Sequence, residues 1–514
     1  MNTKKIISFI LAFTLLLSSL AALAACEPED PTDTSDIGTL DVAWAKDLDF
    51  GGVTLNVHQS INNWTPAIDG AAIDSPAKFT MATKPNSIDN VLNACYERNV
   101  AVAKTLNLNI NFIETDKNYA EVLDWLRSCI MQQVAMDFIV NDVYSVLNAA
   151  TEGLLMNVKT TSLAGKPVNN YLNLEHDSWY EDYINGLTVD KNKVYAVAGD
   201  YFMSVIRVAH CLYVNTEMFE DKCGDVYPEM DTFYKDIEDG NFTYDLFNEL
   251  IFMAWEDAGK QGITDEDDKL GFLTDLGSGC GQFPLIYGSK LTVVDYAKNN
   301  ATVKPDMSSE IEEIARAIDM IAYKDGTLVS STTKLAFRDV FTEGKAMFVG
   351  TYFLGDLEYS SFQAMDNKAA IVYPKINENY EYSTYAHDSA EIGYIPATCT
   401  NFEAVTAYVQ LLNEQSTGIV KSYFENQLKF KYNTAESSAA LDMLDLIRDT
   451  LGSPEYQLIE MAIANLGNAT AAYSCISKAV NEHNPTNAAT QYQANISAYE
   501  TGLNALKQKF AQIP

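Results

Sequence analysis

The residue types that most often carry catalysis are scattered along this chain. Its five histidines lie far apart, and none belongs to an H-E-x-x-H pattern, in which two histidines one helical turn apart hold zinc. The glycine-rich run at 277–281 fits neither G-x-G-x-x-G nor G-x-S-x-G, so we interpret it as a loop. With 70 acidic side chains, carboxylate pairs arise by chance and do not indicate a glycosidase. The sequence therefore predicts that this protein is not an enzyme.

Residues suited to holding a small solute follow predicted strands. Asn141, Asp142 and Tyr144 come directly after an apolar run at 138–140, and Tyr352 comes after a run that ends at Val349. Trp64 lies in the polar loop after the first predicted strand. Open α/β sheets bind ligands beyond the carboxyl ends of their strands. Aromatic faces stack on apolar ring faces, while amides and carboxylates take polar groups, so we predict that these five residues line a binding site.

The elements that would position these residues alternate between strands and helices. Apolar alternation predicts strands at 53–58 and 107–113, and helical spacing predicts helices at 88–106 and 119–134. Together with the run at 138–140 this order indicates a parallel sheet with crossover helices. Further strands are predicted at 211–214, 346–349 and 369–373, and almost the whole chain after 401 is predicted to be helical.

Residues 1–25 form an export signal. Lys4 and Lys5 precede an apolar run that ends in Leu-Ala-Ala, directly before Cys26. This ending resembles the lipobox of bacterial lipoproteins, whose cysteine receives diacylglycerol and becomes the new N-terminus; an ordinary secretory signal is the alternative. Residues 26–48 open with an acidic, proline-bearing stretch that cannot bury enough apolar surface to fold, so we interpret them as a tether. We expect a lipoprotein on the extracellular face of the cell membrane.

The charge balance argues against one class of partner, and the cysteine spacing argues against a fold held together by disulfides. The chain has 35 basic and 70 acidic side chains, which argues against nucleic acid as a partner because phosphate is neutralised by Lys and Arg. The seven cysteines beyond Cys26 are widely spaced and include no C-x-x-C pair. A disulfide framework is not expected in a chain of this size, with one or two bridges as the alternative.

Several short segments, in this order and spacing, resemble the extracellular solute-binding proteins of bacterial ABC importers, in the large carbohydrate-type group of Gram-positive anaerobes that is similar to family 1. The segments are Y-E-R-N at 96–99, L-L at 154–155, L-T-V-D at 187–190, V-Y-A at 194–196, Y-V-N-T-E-M-F-E-D at 213–221, D-G-N-F-T at 239–243, D-K-L-G-F at 268–272, Y-P-K at 373–375 and M-L-D-L-I at 443–447. No single segment is specific. Together they cover about residues 50 to 450.

The resemblance implies an α/β fold of the type II periplasmic-binding-protein class, with two α/β lobes joined by hinge strands and a helical C-terminus. We place lobe 1 at 49–160 plus 345–385 and lobe 2 at 161–344 plus 386–514. The solute would lie between the lobes, which adds Trp179, Asp200, Tyr201 and His387 to the candidate ligand-binding residues.

Proteins of this group sometimes carry an EF-hand-like calcium loop at the position of residues 257–268. This chain offers Asp257, Asp265 and Asp268 at loop positions 1, 9 and 12, but Gly259 and Gln261 stand at positions 3 and 5. Calcium requires six to eight oxygen ligands. We therefore expect a metal-free loop and no cofactor, with calcium as the alternative.

The function that the resemblance implies is capture of a carbohydrate, an oligosaccharide in our interpretation, and its delivery to ABC permease subunits in the membrane. We expect the binding protein to act as a monomer. Two alternatives stay open: a binder of peptides or of another oligomeric solute on the same plan, and a surface enzyme that the motifs do not reveal.

Overall fold

The computed structural model describes residue 34 and residues 36–61, 77–86, 88–117, 119–188, 190, 192–262, 264–276, 279–295, 301–329, 337–431, 437–452 and 454–513. The predicted export signal, Cys26 and Trp64 lie outside these residues. The described strands are β1 Val53–Ser60, β2 Leu108–Thr115, β3 Phe138–Asp142, β4 Ser162–Leu163, β5 Lys166–Pro167, β6 Leu212–Asn215, β7 Leu270–Thr274, β8 Val294–Asp295, β9 Thr302–Val303, β10 Thr327–Val329, β11 Ala346–Val349, β12 Lys368–Ile371 and β13 Glu391–Tyr394.

The first sheet has the strand order β13-β3-β1-β2. Strands β1, β2 and β3 run parallel, as predicted, with Val53 opposite Leu108, and the antiparallel strand β13 closes the edge beside β3. The crossover helices are Asn90–Thr105 and Val122–Met131. Asp89 starts the first of them because its carboxylate accepts hydrogen bonds from the N–H groups of Val91 and Leu92.

The second sheet has the order β10-β7-β11-β6-β12. Strands β10, β7 and β11 are parallel, whereas β6 runs antiparallel to both of its neighbours. Every residue of β6, β7, β11 and β12 is buried, so helices cover both faces. These helices include Thr216–Cys223, Met230–Glu238, Tyr244–Ala254, Gly279–Tyr287, Ser308–Ala322, Phe337–Thr342 and Ser360–Gln363.

The strand pairing corrects the predicted lobe boundaries. Strands β11 and β12, predicted to belong to lobe 1 with 345–385, hydrogen-bond to β7 and β6 of the second sheet. Strand β13, assigned to lobe 2, pairs with β3 of the first sheet. Residues 161–207 also belong with the first sheet, because Val197 bridges to Gly393 of β13. The hydrogen bonds between strands determine which sheet each strand belongs to. Because short strands buried on both faces are apolar throughout, the sequence does not indicate their partners.

The chain crosses between the sheets in segments that lie beside one another. The helix Met203–Arg207 leads into the first crossing, and the return crossing lies between β12 and β13. The two crossings are bridged by Ala209 with Ala386, and His210 bridges to Phe353 after β11. Two lobes connected by adjacent strands are the arrangement that permits hinge motion.

The C-terminal part is helical, as predicted, with α-helices at Phe402–Glu414, Thr417–Ser422, Ser438–Asp449, Pro454–Gly467, Ala472–Asn481 and Thr486–Gln512 and a π-helix at Tyr423–Lys431. These helices serve both lobes. Asn413 accepts a hydrogen bond from the N–H of Tyr201 in the first lobe, whereas Ser438–Asp449 packs on β12 of the second. In the last helix, Tyr492 donates to the carbonyl of Lys304, and the carbonyl of Phe510 accepts from Lys193.

The remaining helices are short. They are the α-helices Ala77–Thr80, Val146–Thr151 and Glu181–Gly186 and the 3₁₀ helices Val143–Ser145 and Leu354–Glu358. None of the helices in the described part of the chain combines the length and the hydropathy needed to cross a bilayer. The side chains of six cysteines are described, and all six are free thiols: Cys95, Cys129, Cys211, Cys223, Cys399 and Cys475.

Candidate functional site

The carboxyl end of β3 brings three predicted site residues together. Strand β3 ends at Asp142, and the Asp142 carboxylate accepts a hydrogen bond from the N–H of Tyr144 at 2.7 Å, which turns the chain into a short 3₁₀ helix. The Asn141 amide oxygen accepts from the N–H of Asp142 at 2.7 Å. Asn141 and Asp142 are buried, and Tyr144 is half-buried. Polar groups and an aromatic ring therefore meet at this sheet edge, as predicted.

Two further acids join Asp142. Glu391, the first residue of β13, lies directly opposite Asp142 in the antiparallel ladder, so the two side chains lie on the same face of the sheet. Asp388 lies in the turn before β13, with its side chain 18% exposed. Burial raises the pKa of Asp142 well above its usual range, and the charges of Asp388 and Glu391 add to that effect. Burial raises the pKa of Glu391 to about 8.

Glu391 also connects the site to β1. One of its carboxylate oxygens accepts a hydrogen bond from the side-chain amide of Gln59 at 3.1 Å, and the amide oxygen of Gln59 accepts from Thr80 at 2.6 Å. Ser60 also hydrogen-bonds to the Glu391 carboxylate. The amide nitrogen of Asn141, which faces the other side of the sheet, has no hydrogen-bond partner among the described residues. Glu391 is 3% exposed and Asn141 is fully buried.

Aromatic rings lead from this edge toward the second lobe. Tyr144 packs edge-on against Tyr119 at 5.6 Å between ring centroids, and burial followed by the charge of Asp388 raises the pKa of Tyr144. Tyr473 also acts on Tyr144 through space. In turn, Tyr473 packs edge-on against Phe283 at 5.2 Å, and Phe283 lies in the helix that follows β7 of the second sheet. Tyr144, Tyr473 and Phe283 are all partly exposed, so both lobes present aromatic surface.

The inter-lobe crossings lie next to the acids. The Nδ1 atom of His387 is 3.3 Å from the Asp388 carboxylate and accepts a hydrogen bond from the N–H of Ser389. His210 stacks on Tyr385 at 5.4 Å and lies 6.0 Å from His387, centroid to centroid. Burial lowers the pKa of both histidines, and for His210 it does so strongly. His387 is therefore at the predicted place between the lobes, but it is buried behind Asp388.

The structure contradicts the prediction that Trp179, Tyr201 and Tyr352 line the site. Trp179 is 4% exposed, and its indole N–H donates to Gln410 at 3.0 Å. Tyr201 is fully buried beneath the guanidinium of Arg98, 4.8 Å from its ring. Tyr352 is 3% exposed and packs on Phe362 at 5.4 Å. These rings fill lobe interiors, where burial of a large apolar surface stabilises the fold.

Asp200 lies apart from the cluster around Asp142. Its carboxylate accepts a hydrogen bond from the hydroxyl of Tyr180 at 3.0 Å, and burial raises the pKa of Asp200. The guanidinium of Arg448 acts in the opposite direction, to lower this pKa. None of the contacts described for Asp200 involves Asp142, Asp388 or Glu391, so the structure does not bring Asp200 into this cluster, and its role in solute binding stays a prediction.

The loop at 257–268 is held together by its own carboxylates. Asp268 accepts from the indole N–H of Trp255 at 3.0 Å and from the N–H groups of Ala258 and Gly259 at 2.9 and 2.8 Å. Asp257 accepts from the N–H of Gly262, and Asp265 accepts from the N–H of Lys260. In the described part of the chain no three His, Cys, Asp or Glu side chains are placed to hold a metal ion. The oxygens that calcium would need are engaged with backbone donors.

Sequence reasoning missed five residues of this site: Asp388, Glu391, Tyr119, Tyr473 and Phe283. Asp388 could have been inferred from its neighbour His387, and Glu391 opens an apolar run that could have been recognised as a strand. Tyr473 belongs to a C-terminal helix, and no local pattern indicates that this helix reaches the site.

No family model matches this sequence, and no curated protein matches it. Solved structures do share its fold. The galacto-N-biose/lacto-N-biose I-binding protein of the ABC transporter from Bifidobacterium longum, in complex with lacto-N-biose, matches with a TM-score of 0.53 at 10% identity, over 90% of this chain and 99% of that chain.

Two family 1 extracellular solute-binding proteins give similar results. The protein from Bifidobacterium longum subsp. infantis matches with a TM-score of 0.53 at 12% identity, over 88% of this chain and 100% of that chain. The protein from Alicyclobacillus acidocaldarius subsp. acidocaldarius has a TM-score of 0.50 at 12% identity, over 89% and 99% of the two chains. These likenesses confirm the predicted fold class, a type II periplasmic-binding-protein-like fold with two α/β lobes.

Proposed function

We propose that this protein is the extracellular solute-binding component of an ABC importer and that it captures a saccharide between its lobes. The observation that carries the proposal is the row of partly exposed aromatic rings Tyr144, Tyr473 and Phe283, of which Tyr473 and Phe283 pack edge-on at 5.2 Å and Tyr144 follows β3 in the first lobe. Aromatic faces stack on sugar rings, and carboxylates accept from sugar hydroxyls. The Bifidobacterium longum protein of the same fold has lacto-N-biose bound, which supports a saccharide over a peptide.

The site supports binding without chemistry. Asp142, Asp388 and Glu391 form a group at one sheet edge, and the serines beside Glu391 are engaged: Ser60 hydrogen-bonds to its side chain, and Ser204 accepts from its N–H at 2.9 Å. A saccharide would be held by stacking and hydrogen bonds, and motion about the crossings near His210 and His387 would close the lobes around it. The protein then delivers the saccharide to permease subunits as a monomer that is tethered to the membrane through lipid on Cys26.

Thermal unfolding in the presence of saccharides tests the proposal. A ligand that binds only the folded protein stabilises it by about 2.7 kcal/mol at a hundredfold excess over its dissociation constant. We expect one or more di- or oligosaccharides to raise the melting temperature, and peptides of three to eight residues to leave it unchanged. If peptides raise the melting temperature and saccharides do not, the solute is not a sugar, but the protein can still be the binding component of an importer.

Variants of the aromatic row locate the binding site. Phe283→Ala and Tyr144→Ala should remove most of the saccharide-induced shift. Phe252→Ala is the matched control, because Phe252 is 52% exposed on the helix Tyr244–Ala254, outside the row. Equal loss of binding in all three variants would contradict the proposed site.

A further inference from the structure

Two helices of the aromatic row meet at one buried carboxylate. Glu460 lies in the helix Pro454–Gly467 and is 1% exposed. Its Oε1 atom accepts hydrogen bonds from the N–H groups of Ala472 and Tyr473, the latter at 3.3 Å. Its Oε2 atom accepts a hydrogen bond from the hydroxyl of Tyr287 at 3.1 Å. A single side chain therefore contacts both helices that carry the second-lobe end of the row.

The helix that carries Tyr473 begins without a cap of its own. It spans Ala472–Asn481, and its N-cap residue is Ala471, whose side chain makes no capping hydrogen bond. The first N–H groups of a helix have no partner within the helix, and a side-chain oxygen of the same segment usually accepts from them. Here Glu460 supplies that oxygen from a neighbouring helix. The start of the helix, and with it Tyr473, is therefore held by Glu460.

The second contact of Glu460 leads to Phe283. Tyr287 and Phe283 lie one turn apart in the helix Gly279–Tyr287, with their rings edge-on at 5.8 Å. Tyr287 is fully buried, whereas Phe283 is partly exposed. Both rings also pack against Tyr385 of the return crossing between the sheets, at 5.7 and 5.8 Å. Tyr287 therefore supports Phe283 from the buried side, next to the connection between the lobes.

We propose that Glu460 is a positioning residue for saccharide binding, which in its ionised form holds Tyr473 directly and Phe283 through Tyr287 in the arrangement that stacks on a sugar. This inference rests on the proposed saccharide function. An ionised carboxylate only accepts hydrogen bonds, so it matches the three donors that point at it. Protonation turns one of its oxygens into a donor, and the two helices then compete for the remaining acceptor. The state that binds saccharide is then less populated, and the apparent affinity falls in proportion.

Glu460 changes its charge near neutral pH, and the titratable groups around it do not. Burial raises the pKa of Glu460 to about 7. Burial, with the charge of Glu460 as a further cause, raises the pKa of Cys475 to about 11. The same two causes raise the pKa values of Tyr287, Tyr492 and Tyr499 above their usual range. Between pH 6 and 8 these four groups stay uncharged, so a pH effect from this group of five reports Glu460.

The pH dependence of saccharide binding tests the proposal in the full chain. Titration calorimetry with maltotriose, cellotriose, xylotriose and mannotriose measures the dissociation constants at pH 6, 7 and 8. A group with a pKa of about 7 is about nine-tenths ionised at pH 8 and about one-tenth ionised at pH 6. We therefore expect the affinity of the unmodified protein for a bound probe to fall about tenfold from pH 8 to pH 6.

Glu460→Gln removes the titrating group and keeps the size of the side chain. Its affinity at pH 8 should be lower than that of the unmodified protein, because an amide offers the three donors only one acceptor oxygen. The fall in affinity that Glu460 causes between pH 8 and pH 6 should be absent. Asp142 and Glu391, whose pKa values are also raised, are present in both proteins, so the difference between the two pH profiles reports Glu460.

Tyr287→Phe provides a second and milder variant. It keeps the ring and removes the hydroxyl whose hydrogen bond lowers the pKa of Glu460, so the midpoint of the pH profile should move to higher pH. Asp137→Asn is the matched control, because Asp137 is 4% exposed and accepts from the N–H of Asn56 at 2.8 Å, outside the row. This control should lower the free energy of unfolding in urea and leave the pH profile of binding unchanged.

The results distinguish the positioning role from the saccharide function. Saccharide binding with the same pH profile in the unmodified protein, Glu460→Gln and Tyr287→Phe overturns the positioning role while the saccharide function stands. If Glu460→Gln does not fold, the midpoint in Tyr287→Phe decides alone, and an unmoved midpoint overturns the proposal. Binding of none of the four probes at any pH counts against the saccharide function, and the positioning role falls with it.

Discussion

Arg207 and Glu358 form a buried ion pair between the two lobes. The Nε atom of Arg207 lies 2.9 Å from a carboxylate oxygen of Glu358, and the two side chains are 3% and 10% exposed. Arg207 ends the helix that precedes the first crossing, whereas Glu358 ends the 3₁₀ helix that follows β11. Lys78 and Tyr423 also donate to Glu358, at 3.0 and 2.9 Å. The Glu358 carboxylate therefore accepts hydrogen bonds from donors in several segments of the chain.

Removing the charge of Glu358 should destabilise the protein. Burial acts to raise the pKa of Glu358, but the charges of Arg207 and Lys78 outweigh it and hold the pKa at about 2. Breaking a buried pair typically costs about 3–5 kcal/mol because the partner charge is left buried. We expect Glu358→Gln to lower the free energy of unfolding by an amount of this order in urea titrations. Glu238→Gln, which alters an exposed pair with Lys235, is the control and should change little.

The ion pair of Arg207 and Glu358 also makes the stability of the folded protein fall at low pH. Because the folded-state pKa of Glu358 is below its usual value of 4.5, the stabilisation is complete above pH 4.5 and is lost as the pH falls toward 2. The Glu358→Gln variant should therefore show a shallower loss of melting temperature between pH 4.5 and 2 than the unmodified protein. Identical acid profiles would contradict the role of this carboxylate.

Glu391 should have the opposite effect on stability. Its pKa is raised from 4.5 to about 8 by burial, so the folded protein holds a proton that the unfolded chain releases. That contribution is complete below pH 4.5 and is lost as the pH rises through about 8, with a limiting slope of about 1.4 kcal/mol per pH unit. We expect Glu391→Gln to remove this slope from urea-unfolding data collected between pH 5 and 8. An unchanged slope would show that Glu391 titrates normally in the folded protein.

The local pattern of apolar residues predicted most elements of the first sheet. Leu55 and Val57 are fully buried in β1, and their alternation with polar neighbours was visible in the sequence. The pattern failed for lobe membership, because β11 and β12 are four-residue strands buried on both faces. Such strands carry no information about which sheet they join. Their partners are set by the paths of the chain between the lobes.

Residue type alone was a poor guide to the aromatic part of the site. Tyr352 follows a predicted strand in the same way as Tyr144, and the resemblance placed Trp179 between the lobes, yet these two rings are 3% and 4% exposed. A large aromatic ring can stabilise a hydrophobic core or stack on a ligand in a cleft. The sequence does not distinguish these roles, because they depend on how the ring is packed in the folded protein. Tyr473 comes from a helix far along the chain, and its approach to Tyr144 depends on the tertiary fold.

The loop at 257–268 should keep its structure without calcium. The Asp268 carboxylate holds the N–H groups of Ala258 and Gly259, and hydrogen bonds of this kind outweigh burial and lower its pKa. We expect neither 5 mM calcium nor EDTA to move the melting temperature, and we expect Asp268→Asn to lower it by a few degrees, since a charge-assisted bond contributes about 1.5–3 kcal/mol. A calcium-dependent increase that Asp268→Asn abolishes would restore the calcium alternative.

Membrane attachment through Cys26 remains a prediction, because this residue lies outside the described part of the chain. Replacing the thiol removes the acceptor for diacylglycerol, so Cys26→Ala should appear in the medium or persist as an uncleaved precursor. Cell fractionation with immunoblotting measures both forms, and Cys129→Ala serves as a control since Cys129 is a half-buried thiol of the folded domain. A processed Cys26→Ala protein that stays with the membrane would contradict the lipid anchor.

Tyr144 and Tyr352 should respond in opposite ways to the same substitution. Tyr144 is half-buried at the end of β3, so Tyr144→Ala should weaken saccharide binding at least tenfold with little loss of stability. Tyr352 is packed on Phe362 and Tyr213, so Tyr352→Ala leaves a cavity and should lower the free energy of unfolding by about 3–5 kcal/mol. Calorimetric titration and urea unfolding of both variants measure the two effects separately. If Tyr352→Ala abolishes binding while its stability is unchanged, the original assignment of Tyr352 to the site is correct and our placement of the aromatic row is wrong.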